Sequence, residues 1–238
     1  MRALFTFSFL VMLRLVSGLL FRVDLKRVGE IPPGDPWQGL RVVAILNHTS
    51  LYEPIFAGGV PLRFLRRLAD HGVIPIAAKT IDRPITGRFF RALAAHVVSI
   101  SRQRDETWSA VLGKIDDPKA MVALLPEGRM KRANGLDSKG RPMTVRGGIA
   151  DILQAVPKGR LLLAYSLGLH HVQVPGQRLP RLFQKIRMRL EVLEIADYRA
   201  ELEAIAPNGD FRAAVIADLT RRRDLYCNES SDIVEQPL

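Results

Sequence analysis

The chain of 238 residues holds one cysteine, Cys227, which excludes a disulfide within the chain and a cysteine metal cluster. Aromatic residues make up 7%, little for a protein that stacks on nucleic-acid bases, and no recognisable nucleic-acid module is present. Acidic residues are outnumbered, 24 against 35 lysines and arginines, which leaves a net charge of +11. Such a surplus points to anionic partners, phosphorylated substrates or an acidic membrane surface among them. No apolar run spans a bilayer without interruption: Ala3 to Leu13 ends at Arg14, short of the ~20 residues a span needs. Internal repeats and linkers are missing as well. With 47% apolar residues the chain reads as one domain with a sizeable core.

What is present begins with an apolar segment. Residues 1–22 predict a membrane-associating helix that lies at the interface, with Arg14 snorkelling to the polar layer. A secretory signal cleaved near Gly18 and a core helix are the other readings of this segment. Residues 23–227 form the main domain and residues 228–238 a loose polar tail. Within the domain, apolar runs at 40–46, 74–79, 97–102, 121–125 and 161–167 predict strands, and helical patterns fall between them. Ile186, Met188, Leu190 and Val192 alternate with Arg187, Arg189 and Glu191, which predicts a half-exposed strand. Asp210 caps a last helix running to about Arg223. Strands alternating with helices imply an α/β fold, a central mixed sheet flanked by helices, with ligands at the strand ends.

The first of those strands runs into Asn47-His48-Thr49-Ser50-Leu51-Tyr52-Glu53-Pro54. An imidazole titrates near neutrality and serves as a general base; a carboxylate beside it would orient the ring. On a regular helix, positions five apart lie roughly 140° from one another. His48 and Glu53 therefore meet only if His48 is in the loop and Glu53 in a first helical turn, where Pro54 is tolerated. Ser50-Leu51-Tyr52-Glu53 also fits a capping box, in which Glu53 would serve the helix start instead.

The segment resembles the first motif of the glycerolipid acyltransferases, typified by 1-acylglycerol-3-phosphate acyltransferases, which place four residues between His and Asp. Arg102 closes an apolar run as in that family's second block, and Leu125-Pro126-Glu127-Gly128-Arg129 resembles its Phe-Pro-Glu-Gly-Thr-Arg block. Arg129 stands where Thr is usual, and Met130 at the arginine position. Arg146-Gly147-Gly148 falls where the family has a basic residue and glycine at a helix start. The stretch 161–167 lies at the fourth block without the customary proline.

The resemblance implies acyl transfer from a thioester to the hydroxyl of a lysophospholipid or glycerol-phosphate acceptor. His48 would be the general base and Glu53 its orienting acid; Arg102, Glu127, Gly128 and Arg129 would bind the acceptor. It implies no metal and no bound cofactor, with acyl-CoA or acyl carrier protein as co-substrate. The partners are membrane lipid and that donor, not nucleic acid, at the cytoplasmic face of the inner or plasma membrane. An acceptor headed by an amino acid, and a catalytically silent membrane-binding relative, are the alternatives.

Overall fold

A computed structural model describes residues 1–29, 34–101, 103–132, 134–173, 177, 179–228 and 233–237. The chain opens with α1 (Arg2–Leu20), followed by β1 (Arg22–Arg27) and β2 (Leu40–Leu46). A 3₁₀ turn, Glu53–Gly58, leads to α2 (Leu62–His71), β3 (Gly72–Ala77), α3 (Ala78–Ile81), α4 (Pro84–Arg91) and β4 (His96–Ile100). Then come α5 (Glu106–Ile115), β5 (Met121–Leu124), α6 (Gly148–Ala155), β6 (Arg160–Leu167) and α7 (Leu169–Val172). The chain continues through β7 (Lys185–Glu194), α8 (Ile195–Ile205), α9 (Phe211–Tyr226) and β8 (Gln236–Pro237).

Among the described residues the sheet has eight strands in the order β4-β3-β5-β2-β6-β7-β1-β8. The pairs β3–β4, β3–β5, β2–β5 and β2–β6 are parallel. β7 runs antiparallel to β6, β1 parallel to β7, and β8 antiparallel to β1. This is the mixed α/β sheet expected from the alternation of apolar runs. β2 sits in the middle and is nearly all buried, as a strand covered on both faces must be. One apolar layer joins β2, β5 and β6 to α5, α6, α8 and α9; the other packs them against α1, α2 and the 3₁₀ turn.

Three expectations are corrected here. β7 is not half-exposed: Arg189 and Glu191 are 2% and 3% accessible. The charges of Arg189 and Glu191 alternate with apolar residues because each faces a partner, not water, while Arg187 stays partly open. Glu191 accepts from Arg222 and from the Tyr165 hydroxyl, both at 2.5 Å. Arg189 donates to Glu235 at 2.6 Å and to the carbonyls of Tyr226 and Asn228. Arg14 does not snorkel outward: its guanidinium turns inward to the carbonyls of Ala57, Gly58 and Val60, fixing α1 to the 3₁₀ turn. Part of the tail is docked, since Glu235 holds Arg189 and Gln236 pairs with Arg27 of β1. The Asp210 cap forms as expected, accepting from Ala213 N at 3.0 Å.

Candidate active site

His48 lies in the loop just beyond β2, and Glu53 is the first residue of the 3₁₀ turn, with Pro54 behind it. Their side chains meet: His48 Nδ1 is 2.7 Å from Glu53 Oε1, with 13% and 6% of the side chains exposed. A carboxylate can only accept, so Nδ1 carries the hydrogen and basicity resides on Nε2. The capping box does not form. Ser50 Oγ accepts from Tyr52 N at 3.3 Å, the turn has no side-chain cap, and the Glu53 carboxylate is given to His48. The turn is closely packed. A Cβ on Gly59 would lie 2.8 Å from Val23 Cγ1, so only glycine lets this turn rest on β1.

The loop that carries His48 is held by its neighbours at the ends of β5 and β6. Glu127, 1% exposed, accepts from His48 N at 2.8 Å and from Asn47 N at 3.3 Å. Lys131 N donates to His48 O at 2.7 Å, and Asn47 Nδ2 donates to Ser166 O at 2.7 Å. Asn47 itself takes the left-handed conformation, φ 64°, which asparagine tolerates better than most residues. Gly128 also stands at positive φ, 61°, and turns the chain sharply after Glu127. Glu127 thus shapes the backbone around the histidine.

Arg223, near the end of α9, completes this support. Its guanidinium donates to Glu127 at 3.2 Å and to Met143 O at 3.1 Å, so it balances the buried carboxylate and holds the segment leading to α6. Nothing in the sequence around Arg223 signals this role.

A cavity of about 590 Å³ opens at the pair, within the size range of small-molecule sites. One limb is apolar and runs beneath α1, lined by Leu10, Leu13, Phe56, Leu65, Ala164 and Met188. The other is polar and lined by Arg104, Arg129, Arg146, Asp151 and Arg212, with Gly147 and Gly148 at the start of α6. Asp151 gathers three donors there: Arg104 at 2.5 Å, Trp108 Nε1 at 3.2 Å, and Arg212. The polar limb carries more guanidinium than carboxylate, so it favours an anionic or strongly hydrogen-bonding group.

Of the residues singled out in the sequence, His48, Glu53, Glu127, Gly128 and Arg129 all line this cavity. Arg102 lies outside the described residues. Arg129 is engaged: its Nη1 donates to Asp137 at 2.6 Å. Asp137 also accepts from the backbone amides of Arg141 and Lys139 and from the Arg141 side chain. Those bonds, the Arg141 amide foremost, hold the Asp137 carboxyl well below the usual carboxylate range. His170 and His171 sit on the short α7, both exposed, as a surface pair.

No protein-family model matches the chain. No curated protein matches its sequence. Among solved structures, the chain is similar to the 1-acyl-sn-glycerophosphate (LPA) acyltransferase PlsC from Thermotoga maritima. The match has a TM-score of 0.56 and 14% identity, and covers 93% of this chain and 80% of the other. The chain has the glycerolipid acyltransferase-like fold that its motifs imply.

Proposed function

We propose that the protein is an O-acyltransferase. It moves a fatty acyl group from an acyl thioester, carried by coenzyme A or acyl carrier protein, to a hydroxyl of a lysophospholipid or glycerol phosphate. The observation that carries this reading is the His48–Glu53 pair, joined at 2.7 Å where an apolar limb and an arginine-lined limb of one cavity meet. His48 Nε2 removes the hydroxyl proton as the oxygen attacks the thioester carbonyl. Glu53 keeps the ring in the tautomer that leaves Nε2 basic and stabilises the imidazolium that forms. The carbon–sulfur bond then breaks, and the departing thiolate takes the proton back from the imidazolium. The apolar limb suits the acyl chain and the polar limb the acceptor head. Arg104, Arg146 and Arg212 join Arg129 as candidates to hold that head.

The reading places α1 on a membrane at the cytoplasmic face. Leu4, Phe5, Met12, Leu15, Val16 and Leu19 are exposed along one side of α1, while Thr6, Leu10 and Ser17 are buried on the other. The helix is long and apolar enough to cross a bilayer. Its inner side is nonetheless committed to the domain through Arg14 and through Phe9, whose ring meets Phe89 at 5.6 Å. A helix so bound lies along the interface with its free side in lipid.

A second reading rests on the Arg129–Asp137 pair. A guanidinium already matched by a buried carboxylate adds little to phosphate binding, which favours an acceptor without phosphate, such as an amino-acid-headed lipid. The test is a panel of phosphate-headed and neutral lysolipids with labelled acyl thioesters. Transfer is expected from the wild type and from Glu53→Asp, and is expected to fall sharply in Glu53→Gln, which keeps the shape and loses the charge. Full turnover by Glu53→Gln would reduce Glu53 to a packing residue. No transfer by the wild type to any acceptor would favour a catalytically silent relative.

A further inference from the structure

The outer surface beside α1 holds a second group of exposed apolar residues that the acyl-transfer reading leaves unused. Leu179, Leu182 and Phe183 are 79%, 43% and 66% exposed, three large apolar side chains within five positions. Their exposure does not come from an untethered loop. Arg181 N donates to Val172 O at 2.8 Å, Phe183 N to Leu20 O at 2.7 Å, and Arg22 N to Gln184 O at 3.1 Å. These bonds hold the segment against α7, the end of α1 and the start of β1. Phe183 is held at φ 61°, the left-handed conformation that a bulky side chain rarely adopts. A phenylalanine kept in an unfavourable conformation, and pointing mostly into solvent, adds little to the core; such cost is often found where a ligand or partner is met.

We propose that residues 179–183 are a second membrane-contacting element, which with α1 seats the protein on an anionic bilayer in one fixed orientation. The bond from Phe183 to Leu20 brings the two apolar segments side by side, with Leu19, 76% exposed, next to that junction. The charges agree with a lipid surface: Arg181 and Arg22 are exposed around the patch, Lys185 is exposed beside them and paired with Asp24, and Arg2 is exposed at the far end of α1. Apolar residues ringed by cations suit an interface of acyl chains under anionic headgroups. A lone helix on a membrane can roll about its axis. A contact at one end, from another part of the chain, limits that roll and fixes which way the cavity faces. The inference rests on the membrane reading of α1, and its test separates the two.

The experiment is sedimentation of the full chain with vesicles of phosphatidylcholine containing a minority of phosphatidylglycerol. Phe183→Gly is the informative variant, because glycine accepts the left-handed conformation and keeps the fold intact. Its partition is expected to weaken about tenfold or more, the scale for removing one large apolar side chain from lipid. Leu15→Asp, on the exposed side of α1, is the control for the helix itself and is expected to lose binding too. If Leu15→Asp loses binding and Phe183→Gly matches wild type, the helix binds lipid and the proposal is overturned. If the wild type does not sediment with vesicles, the membrane reading fails and takes the proposal with it. A second measurement does not depend on partition. In a Cys227→Ser background, which removes the free native thiol, Phe183→Cys can be labelled with a polarity-sensitive fluorophore. A blue shift on vesicles is expected; an unchanged spectrum on vesicle-bound protein overturns the proposal.

Discussion

β7 shows its two sides to two very different environments. Met188, on one side, lines the cavity beneath α1. Arg189 and Glu191, on the other, are buried in an ionic layer with Arg222, Tyr165 and Glu235. Burial raises the Glu191 carboxyl above its ordinary range, although Arg222 opposes this, and it drives the Tyr165 hydroxyl well up as well. The two faces hold the sheet by different means. On the cavity side cohesion comes from the apolar layer around the empty space, from the closely packed Gly58 and Gly59 and from Arg14. The opposite side is closed by directional bonds that tie α9 and the tail to the strand. Function should therefore be lost by changes on the cavity side and stability by changes on the ionic side.

The sharpest contrast is expected from His48→Ala. Turnover should fall about 10²–10⁴-fold, the usual value of a general base. The stability loss should be no more than about 1–3 kcal/mol, from leaving the buried Glu53 without its partner. Comparing kcat with the denaturant midpoint decides this, and near wild-type turnover in the folded variant would end the proposed chemistry. Arg222→Ala should show the reverse: a loss of about 3–5 kcal/mol, because the buried Glu191 loses its counter-charge and Asp218 is left with Arg221 alone, with turnover per folded molecule kept. Denaturant melts and active-site titration would check it; a variant as stable as wild type would show the ionic layer to be dispensable.

A smaller effect is expected from Ala164→Leu, which adds bulk to the apolar limb. It should discriminate against the longest acyl chains by about 1–3 kcal/mol while leaving shorter ones unaffected. Competition between donors of different length would measure it, and an unchanged preference would mean that the chain lies elsewhere. The slightest effect should come from pH. The folded Asp137 carboxyl lies below its unfolded value, so its contribution is full above the unfolded value and is lost as pH falls toward the folded one. Hydrogen exchange of the Lys139 and Arg141 amides should therefore rise in acid before the sheet opens. Protection that is flat to the acid limit of folding would show that Asp137 does not organise this loop.

Much of the site was legible in the sequence because it is local. His48 and Glu53 are close along the chain, and the rule that they meet only across a loop and a first turn was enough to place them. Glu127 and Gly128 were legible as a turn after a buried strand. The use of Glu127 was not, since its bonds to Asn47 and His48 depend on β5 and β2 being neighbours. Arg223 was hidden for the same reason, with its partner 96 positions away. In β7 the sequence pattern was correct but its meaning was not: alternation distinguishes polar from apolar faces, and does not say whether the polar face meets water or counter-charges. Arg14 was misread likewise, because a charge in an apolar helix turns toward whichever acceptors are near, and the carbonyls at 57–60 come from another part of the fold. α8 and β8 were not expected, the first because its pattern is weakly amphipathic and the second because it is only two residues long.

The pairing of β1 with β7 has a further consequence for the order in which the protein is made. Arg22 lies opposite Lys185, and Arg27 opposite Leu190. β1 thus waits for a strand made much later, and the outer side of α1 stays uncovered meanwhile, although the 3₁₀ turn and α2 can cover its inner side sooner. Contacts so distant along the chain close slowly, and an unpaired strand beside an apolar helix is the kind of surface that aggregates. Synthesis close to a lipid surface or a holding chaperone would shield α1 during that interval, so the yield of folded protein should depend on where translation takes place as much as on the stability of the finished fold.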